Sequence, residues 1–200
     1  MNTQIYKIAS FPLNLLVLPG EEVPLRIFEP RYKQLIEECL QEELPFGIPY
    51  EINGEPMGVG SEVEIVKLVG KNSNDDMVIT IKGKSLFKAI DFIQTLPNKL
   101  YGGVLAELID TDFTTTNPEI AVRVKSLKLN INSSLGTLVI TDSINMLDIA
   151  KSIMLRTDEK YRFVTLKSKE ARENYILKQL NFVEQIRKQE SELENNFQLN

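Results

Sequence analysis

Gly83-Lys84-Ser85 is the segment of this 200-residue chain closest in type and spacing to reaction machinery, because Gly-Lys-Ser closes a phosphate-binding P-loop. That loop also needs a glycine five residues before Gly83, and Val78 stands there inside an alternating apolar run. The context instead supports a strand with one glycine at a bulge or bend. Lys84 and Ser85 could be imagined as a Ser-Lys dyad, but neighbouring residues of a strand point to opposite faces. Four acidic pairs, Glu21-Glu22, Glu37-Glu38, Glu42-Glu43 and Asp75-Asp76, invite a carboxylate site. Adjacency on a helix or in a turn rarely aims two carboxylates at one ligand, so these read as solvated surface. The chain has no histidine and a single cysteine, Cys39. The commonest general base and metal ligand are therefore missing, and neither a thiolate zinc site nor an intramolecular disulfide is expected. No catalytic residue, metal ligand or cofactor site is assigned.

Charge and hydropathy narrow the partners. The 23 Lys and Arg against 28 Asp and Glu give a net charge of −5, which disfavours nucleic acid as the partner of the whole surface. No apolar run approaches the roughly 20 residues that span a bilayer, so no membrane association is expected. The short apolar stretch at residues 13–18 contains Asn14, is bounded by prolines and does not read as a secretory signal. A cytoplasmic protein is the expectation. Asn132-Ser133-Ser134 matches a glycosylation acceptor but reads as a polar turn.

Hydrophobic periodicity places these residues on elements. Tyr32, Leu35, Ile36, Cys39 and Leu40 fall on one stripe of a helix over residues 29–43, with Pro30 in its first turn and Lys33, Gln34, Glu37, Glu38 and Gln41 opposite. Cys39 on that stripe reads as a small core side chain. From residue 44 to 110 the period becomes two, clearest at residues 62–69 and 77–81, with the polar turn Asn72-Ser73-Asn74-Asp75-Asp76 between them. Counting residues 15–18, 23–28, 46–52, 87–93 and 100–109, six or seven short strands interrupted by one helix favour a small, partly closed barrel. After Asp110 the chain reads helical. Asn117-Pro118-Glu119 is a helix start, Ser143 reads as a second cap, residues 158–166 form a short third helix, and Ser168 opens the longest. The expected fold class is α+β, divided into a barrel at residues 1–110 with one inserted helix, a helical bundle at 117–188, and a polar, fraying or disordered tail at 189–200.

The most structured stretch is residues 11–32, FPLNLLVLPGEEVPLRIFEPRY, where Pro12, Pro19, Pro24 and Pro30 fix the backbone path and Gly20 turns it. It resembles the opening of the Lon amino-terminal domain: a strand ending in Pro-Gly (Pro19, Gly20), then Pro24, Leu25, Ile27, Phe28, Glu29, Arg31 and Tyr32 leading into a helix. Residues 57–63, 81–90, 146–153, 158–160 and 170–180 are similar to later parts of the same family, so the resemblance covers nearly the whole chain.

The resemblance implies a PUA-like β-barrel followed by an α-helical bundle, in a stand-alone form without the ATPase and protease modules of Lon. It implies a noncatalytic module binding an unfolded or extended polypeptide, or a partner protein, with an adaptor role open to it. The signature residues are expected to be mainly structural. Glu29 suits the positive end of the helix, and Arg31 either braces the junction or contacts the ligand. The alternative is an RNA-binding PUA-like module, which the acidic charge and the lack of a Lys/Arg/aromatic platform disfavour. The sequence sets neither the oligomeric state nor the position of the binding groove.

Overall fold

The structure, a computed structural model, describes residues 5–129, 131 and 143–197. The glycosylation-like Asn132-Ser133-Ser134 lies outside the described residues. The chain divides into two compact units, Met1–Asp110 and Thr111–Asn200.

The first unit contains β1 (Ile5–Ala9), β2 (Glu22–Ile27), α1 (Pro30–Glu42), β3 (Phe46–Ile52), β4 (Glu55–Lys71), β5 (Met77–Ile93) and β6 (Gly103–Leu108). Its strands run β1-β6-β5-β4-β3 in one antiparallel sheet, with β2 added on β5. The sheet curls into a half-barrel. Closure comes from the residues just past β1: Ser10 and Leu13 form parallel bridges to Gly47 and Tyr50, and Phe11 N–H donates to Gly47 C=O at 2.8 Å.

Two expectations about strands are corrected. Segments read as separate short strands form two 17-residue strands, β4 and β5, whose register shifts at Val66, Val69, Lys84 and Ile90. Each extra residue bends the pair and breaks strict alternation, which is how one hairpin wraps a core on a curve. Residues 15–18, expected as a strand, belong to none. Leu16, Val17 and Leu18 are fully buried, with Val17 N–H donating to Ser61 Oγ at 2.8 Å and Leu18 N–H to Glu21 Oε2 at 2.9 Å. Side-chain acceptors satisfy this buried backbone in place of a ladder. β1, which the sequence reading did not assign, supplies the missing edge.

Gly83 explains how that segment fits. It pairs with Val63 beside the Lys84 bulge, and a Cβ on it would lie 2.3 Å from the Leu18 carbonyl oxygen. Gly20 N–H donates to Gly83 C=O at 2.8 Å and Gly83 N–H to Glu21 C=O at 2.9 Å, so the Pro19-Gly20 turn, with Gly20 at φ 78°, clasps β5 at its one bare position. α1 lays most of the expected stripe on the core: Tyr32, Leu35, Ile36 and Cys39 are buried among Phe46, Ile48, Val63, Ile79 and Ile81, whereas Leu40, expected on the same stripe, is exposed. Each large side chain buried there contributes about 1.5–3 kcal/mol relative to exposure.

The second unit contains β7 (Thr114–Thr115), α2 (Pro118–Ser126), β8 (Ile144–Asn145), α3 (Met146–Ser152), α4 (Thr157–Thr165) and α5 (Lys169–Phe197). Helices α2, α3 and α4 each pack on α5, with Ile176 and Leu180 buried on it. Asn117 caps α2 by accepting from Glu119 N–H at 3.0 Å. The cap of α3 is Asn145 rather than Ser143, because Ile144 and Asn145 are drawn into the two-residue β7–β8 pair and the helix starts two residues later. Ser168 Oγ accepts from Ala171 N–H at 3.1 Å to open α5. That helix continues to Phe197, so residues 189–197, expected as a fraying or disordered tail, are helical. No proline or glycine interrupts 169–197, and most of the segment consists of strong helix formers.

Candidate functional site

A cleft of about 410 Å³ opens in the first unit where β1 and the entry to β3 part company, beside the C-terminal half of α1. Ile8, Ala9, Leu35, Cys39, Leu44 and Pro45 give it apolar walls, and Tyr6, Lys7, Glu38, Glu42, Glu62, Lys99 and Tyr101 its polar ones. A second cavity of about 420 Å³, lined by Cys39, Leu40, Glu43, Leu44, Glu64 and Ile65, shares Cys39 and Leu44 with it. The two adjoin around the end of α1 through these shared residues and are together called the groove. Leu44 is half exposed, at 51%.

The outer edge of β1 borders the groove. Ser10 N–H donates to Gly102 C=O at 3.0 Å on the β6 side, while Phe11 N–H turns to Gly47 on the other. Alternation in an antiparallel ladder therefore aims the backbone groups of Ile5 and Lys7 away from β6. β3 meets this side just past Ala9 through the Ser10–Gly47 bridge, and among the described residues no strand forms a ladder along Ile5–Ala9 there, since β1 ends the sheet.

Two carboxylates of the polar wall, Glu38 and Glu62, are held by internal donors in different ways. Glu38 Oε2 receives Lys99 Nζ at 2.6 Å and the Tyr101 hydroxyl, while its Oε1 accepts from Gln34 Nε2 at 3.0 Å. Gln34 in turn accepts from Leu100 N–H at 2.9 Å, fastening residues 99–101 to α1. Desolvation alone would raise the Glu38 carboxyl, but the bonds from Lys99, Tyr101 and Gln34 outweigh it and hold the group below the ordinary carboxylate range. Burial and the Glu38 carboxylate push the Tyr101 phenol upward. Glu62 Oε2 accepts from Tyr6 at 3.0 Å and Ser85 Oγ at 3.3 Å. Burial, then that bond and charge, raises Tyr6 to about 12. Burial followed by the charges of Glu38 and Glu42 pushes Cys39 up to about 12, so it is held as a thiol.

Engaged carboxylates of this kind organise a wall. Among the described residues no three acidic or thiol side chains converge as a metal site would require, and no helix is long and apolar enough to cross a membrane. Lys84 and Ser85 reach different groups, Lys84 towards Glu64 at 3.9 Å and Ser85 to Glu62.

The signature residues lie apart from the groove lining. Pro19 bridges Gly83, Gly20 makes the turn, and Pro24, Leu25 and Ile27 stand on β2 opposite Thr80, Ile79 and Met77. Pro24 removes one donor from β2, which among the described residues pairs with β5 alone. Phe28 is 60% exposed. Glu29 is the N-cap of α1, but its side chain takes Arg31 Nε at 2.9 Å instead of a backbone N–H. The Arg31 guanidinium lies 4.5 Å from the Tyr32 ring centroid, and Tyr32 stacks on Phe11 at 3.8 Å. Arg31 lines neither cavity. The groove residues Tyr6, Glu38, Glu62, Lys99 and Tyr101 carried no sequence signal of their own. Glu38 beside the Leu35–Cys39 stripe was the nearest to one.

Comparison with known proteins matches this architecture. The family model of the ATP-dependent protease La (LON) substrate-binding domain matches residues 7–194. No curated protein sequence matches the chain. Among solved structures, the Lon N-terminal domain protein from Xanthomonas campestris is similar at 20% identity and a TM-score of 0.60, covering 86% of this chain and 98% of that one. The N-terminal domain of the Mycobacterium avium complex Lon protease is similar at 12% identity and a TM-score of 0.61, covering 88% and 98%. Taken with the half-barrel, the Pro19-Gly20 clasp and the helical second unit, the match over residues 7–194 establishes that the chain belongs to the Lon substrate-binding domain family.

Proposed function

We propose that the protein is a noncatalytic receptor for polypeptide, acting as an adaptor or substrate-recognition module, and that it holds an extended segment in the groove between β1, the end of α1 and the entry to β3. The observation that carries this reading is the apolar cleft of about 410 Å³ bordered by the free edge of β1. An extended chain pairing with Ile5 and Lys7 would satisfy its own backbone while lowering an apolar side chain onto Leu35, Leu44 and Pro45. Peptide binding by strand addition gains affinity from main-chain bonds and selectivity from alternate side-chain pockets, which suits a module accepting many unfolded segments.

Absence of catalysis is part of the proposal. Glu38 and Glu62, two carboxylates of the wall, are both occupied by internal donors, and neither stands next to an activated nucleophile. The RNA alternative gains no support, because phosphate would meet a groove with five carboxylates and two lysines.

The test is titration of a labelled extended apolar peptide by fluorescence anisotropy. Leu44→Asp and Lys7→Pro should each weaken binding about tenfold or more, the first by spoiling the apolar wall and the second by blocking the β1 edge. The Lys7 N–H points away from β6, so the proline keeps the sheet and the melting temperature should change little. Unchanged affinity in both variants would remove the groove from the account.

A further inference from the structure

The groove is not electrically neutral, since glutamates outnumber lysines in its lining. Its lining has five glutamates, three of which, Glu42, Glu43 and Glu62, have no cation within ion-pair distance among the described residues. Glu42 and Glu43 also stand at the C-terminal end of α1, and its last turn contains no basic residue. The negative end of a helix dipole favours lysine or arginine, so two acids there oppose the folded protein's own electrostatics. A local choice that works against stability, next to an open apolar cavity, marks a place where a ligand supplies the missing charge. Leu40 and Leu44 line the same cavity as Glu43, which puts an apolar contact and an unanswered negative charge within one side chain's reach.

We propose that the occupant of the groove is a basic-apolar polypeptide segment: an extended stretch whose apolar side chain seats against Leu44 while a neighbouring lysine or arginine is received by Glu42, Glu43 and the carbonyl end of α1. This deepens the receptor function proposed above and rests on it. Long basic side chains fit because their aliphatic stems cover apolar surface while the charged head stays at the rim. Acidic segments are rejected by the same groups, giving selection by repulsion as well as attraction.

The experiment compares three peptides of equal length sharing one apolar core and flanked by lysine, glutamine or glutamate, titrated into the full chain at low and high salt. The lysine-flanked peptide should bind roughly five- to tenfold tighter than the glutamine-flanked one, with the glutamate-flanked one weakest. Raising salt from ~50 to ~500 mM should largely erase the ranking, leaving the shared apolar affinity. Glu42→Gln with Glu43→Gln should erase it too. Those substitutions should also raise the melting temperature slightly, which shows that the variant folds. Equal affinity for all three peptides, lost in Leu44→Asp, would overturn the charge selection and leave the receptor reading standing. No binding of any peptide would overturn both.

Discussion

At the scale of single residues, Glu38 does the most to shape the groove wall, because one carboxylate gathers Lys99, Tyr101 and Gln34 and so ties residues 99–101 to α1. Its carboxyl is held below the ordinary range, so its contribution is fully present above the unfolded value of about 4.3 and is lost as pH falls through the lower folded value. Glu38→Gln should accordingly lower stability by about 1 kcal/mol near neutrality, with the deficit shrinking below pH ~4 as the native carboxyl protonates. Denaturant melts of both proteins across that range check the sign. Cys39 gives a second residue-scale expectation: with its thiol raised to about 12 and the side chain buried, alkylation at mildly alkaline pH should be slow until the protein is unfolded. Of these residues, the sequence stripe placed Cys39 in the core. Glu38 was dismissed with Glu37 as surface, because a stripe says which side faces inward but not what residues 99–101 bring to its border.

Elements show a similar division. α1 was readable from end to end, since period, Pro30 and the family signature agree, and the structure runs from Pro30 to Glu42. Ile36→Asp should therefore cost several kcal/mol through an unpaired buried charge, while Glu37→Lys on the exposed side, which gives up only a solvent-screened ion pair to Lys71, should cost no more than about 1 kcal/mol. Strands were legible in type but not in extent, because bulges at Val66, Val69, Lys84 and Ile90 interrupt the alternation that defines a strand in sequence. Residues 16–18 have the composition of a strand and the burial of a core, yet Val17 N–H is taken by the Ser61 side chain and both backbone groups of Leu18 by Glu21, single contacts that no periodicity announces. Gly83→Ala should be destabilising by several kcal/mol, since the added methyl meets the Leu18 backbone and has no flexible neighbour to displace. A thermal melt comparable to the parent would mean that the clasp yields easily.

At the scale of the molecule, membership in the Lon substrate-binding domain family and the α+β architecture were visible in the proline-rich opening, whereas the groove was not. Signature residues such as Pro19, Gly20 and Tyr32 are spent on the clasp and the helix junction, so they identify the fold while the proposed binding surface is assembled from unremarkable side chains on β1, α1 and residues 99–101. Arg31 illustrates the difference. It pairs with Glu29 and stacks on Tyr32 outside the groove, so Arg31→Ala should shift the melting temperature modestly and leave peptide affinity unchanged. The most direct measurement of the central claim is an amide NMR titration of the whole chain with an extended apolar peptide bearing lysine flanks. The predicted result is chemical-shift change and slowed amide exchange at Ile5 and Lys7, with shifts at Glu42 and Leu44 and little at Phe28 or Arg31. Perturbation confined to the Phe28–Arg31 junction, with Ile5, Lys7 and Leu44 silent at saturation, would contradict it.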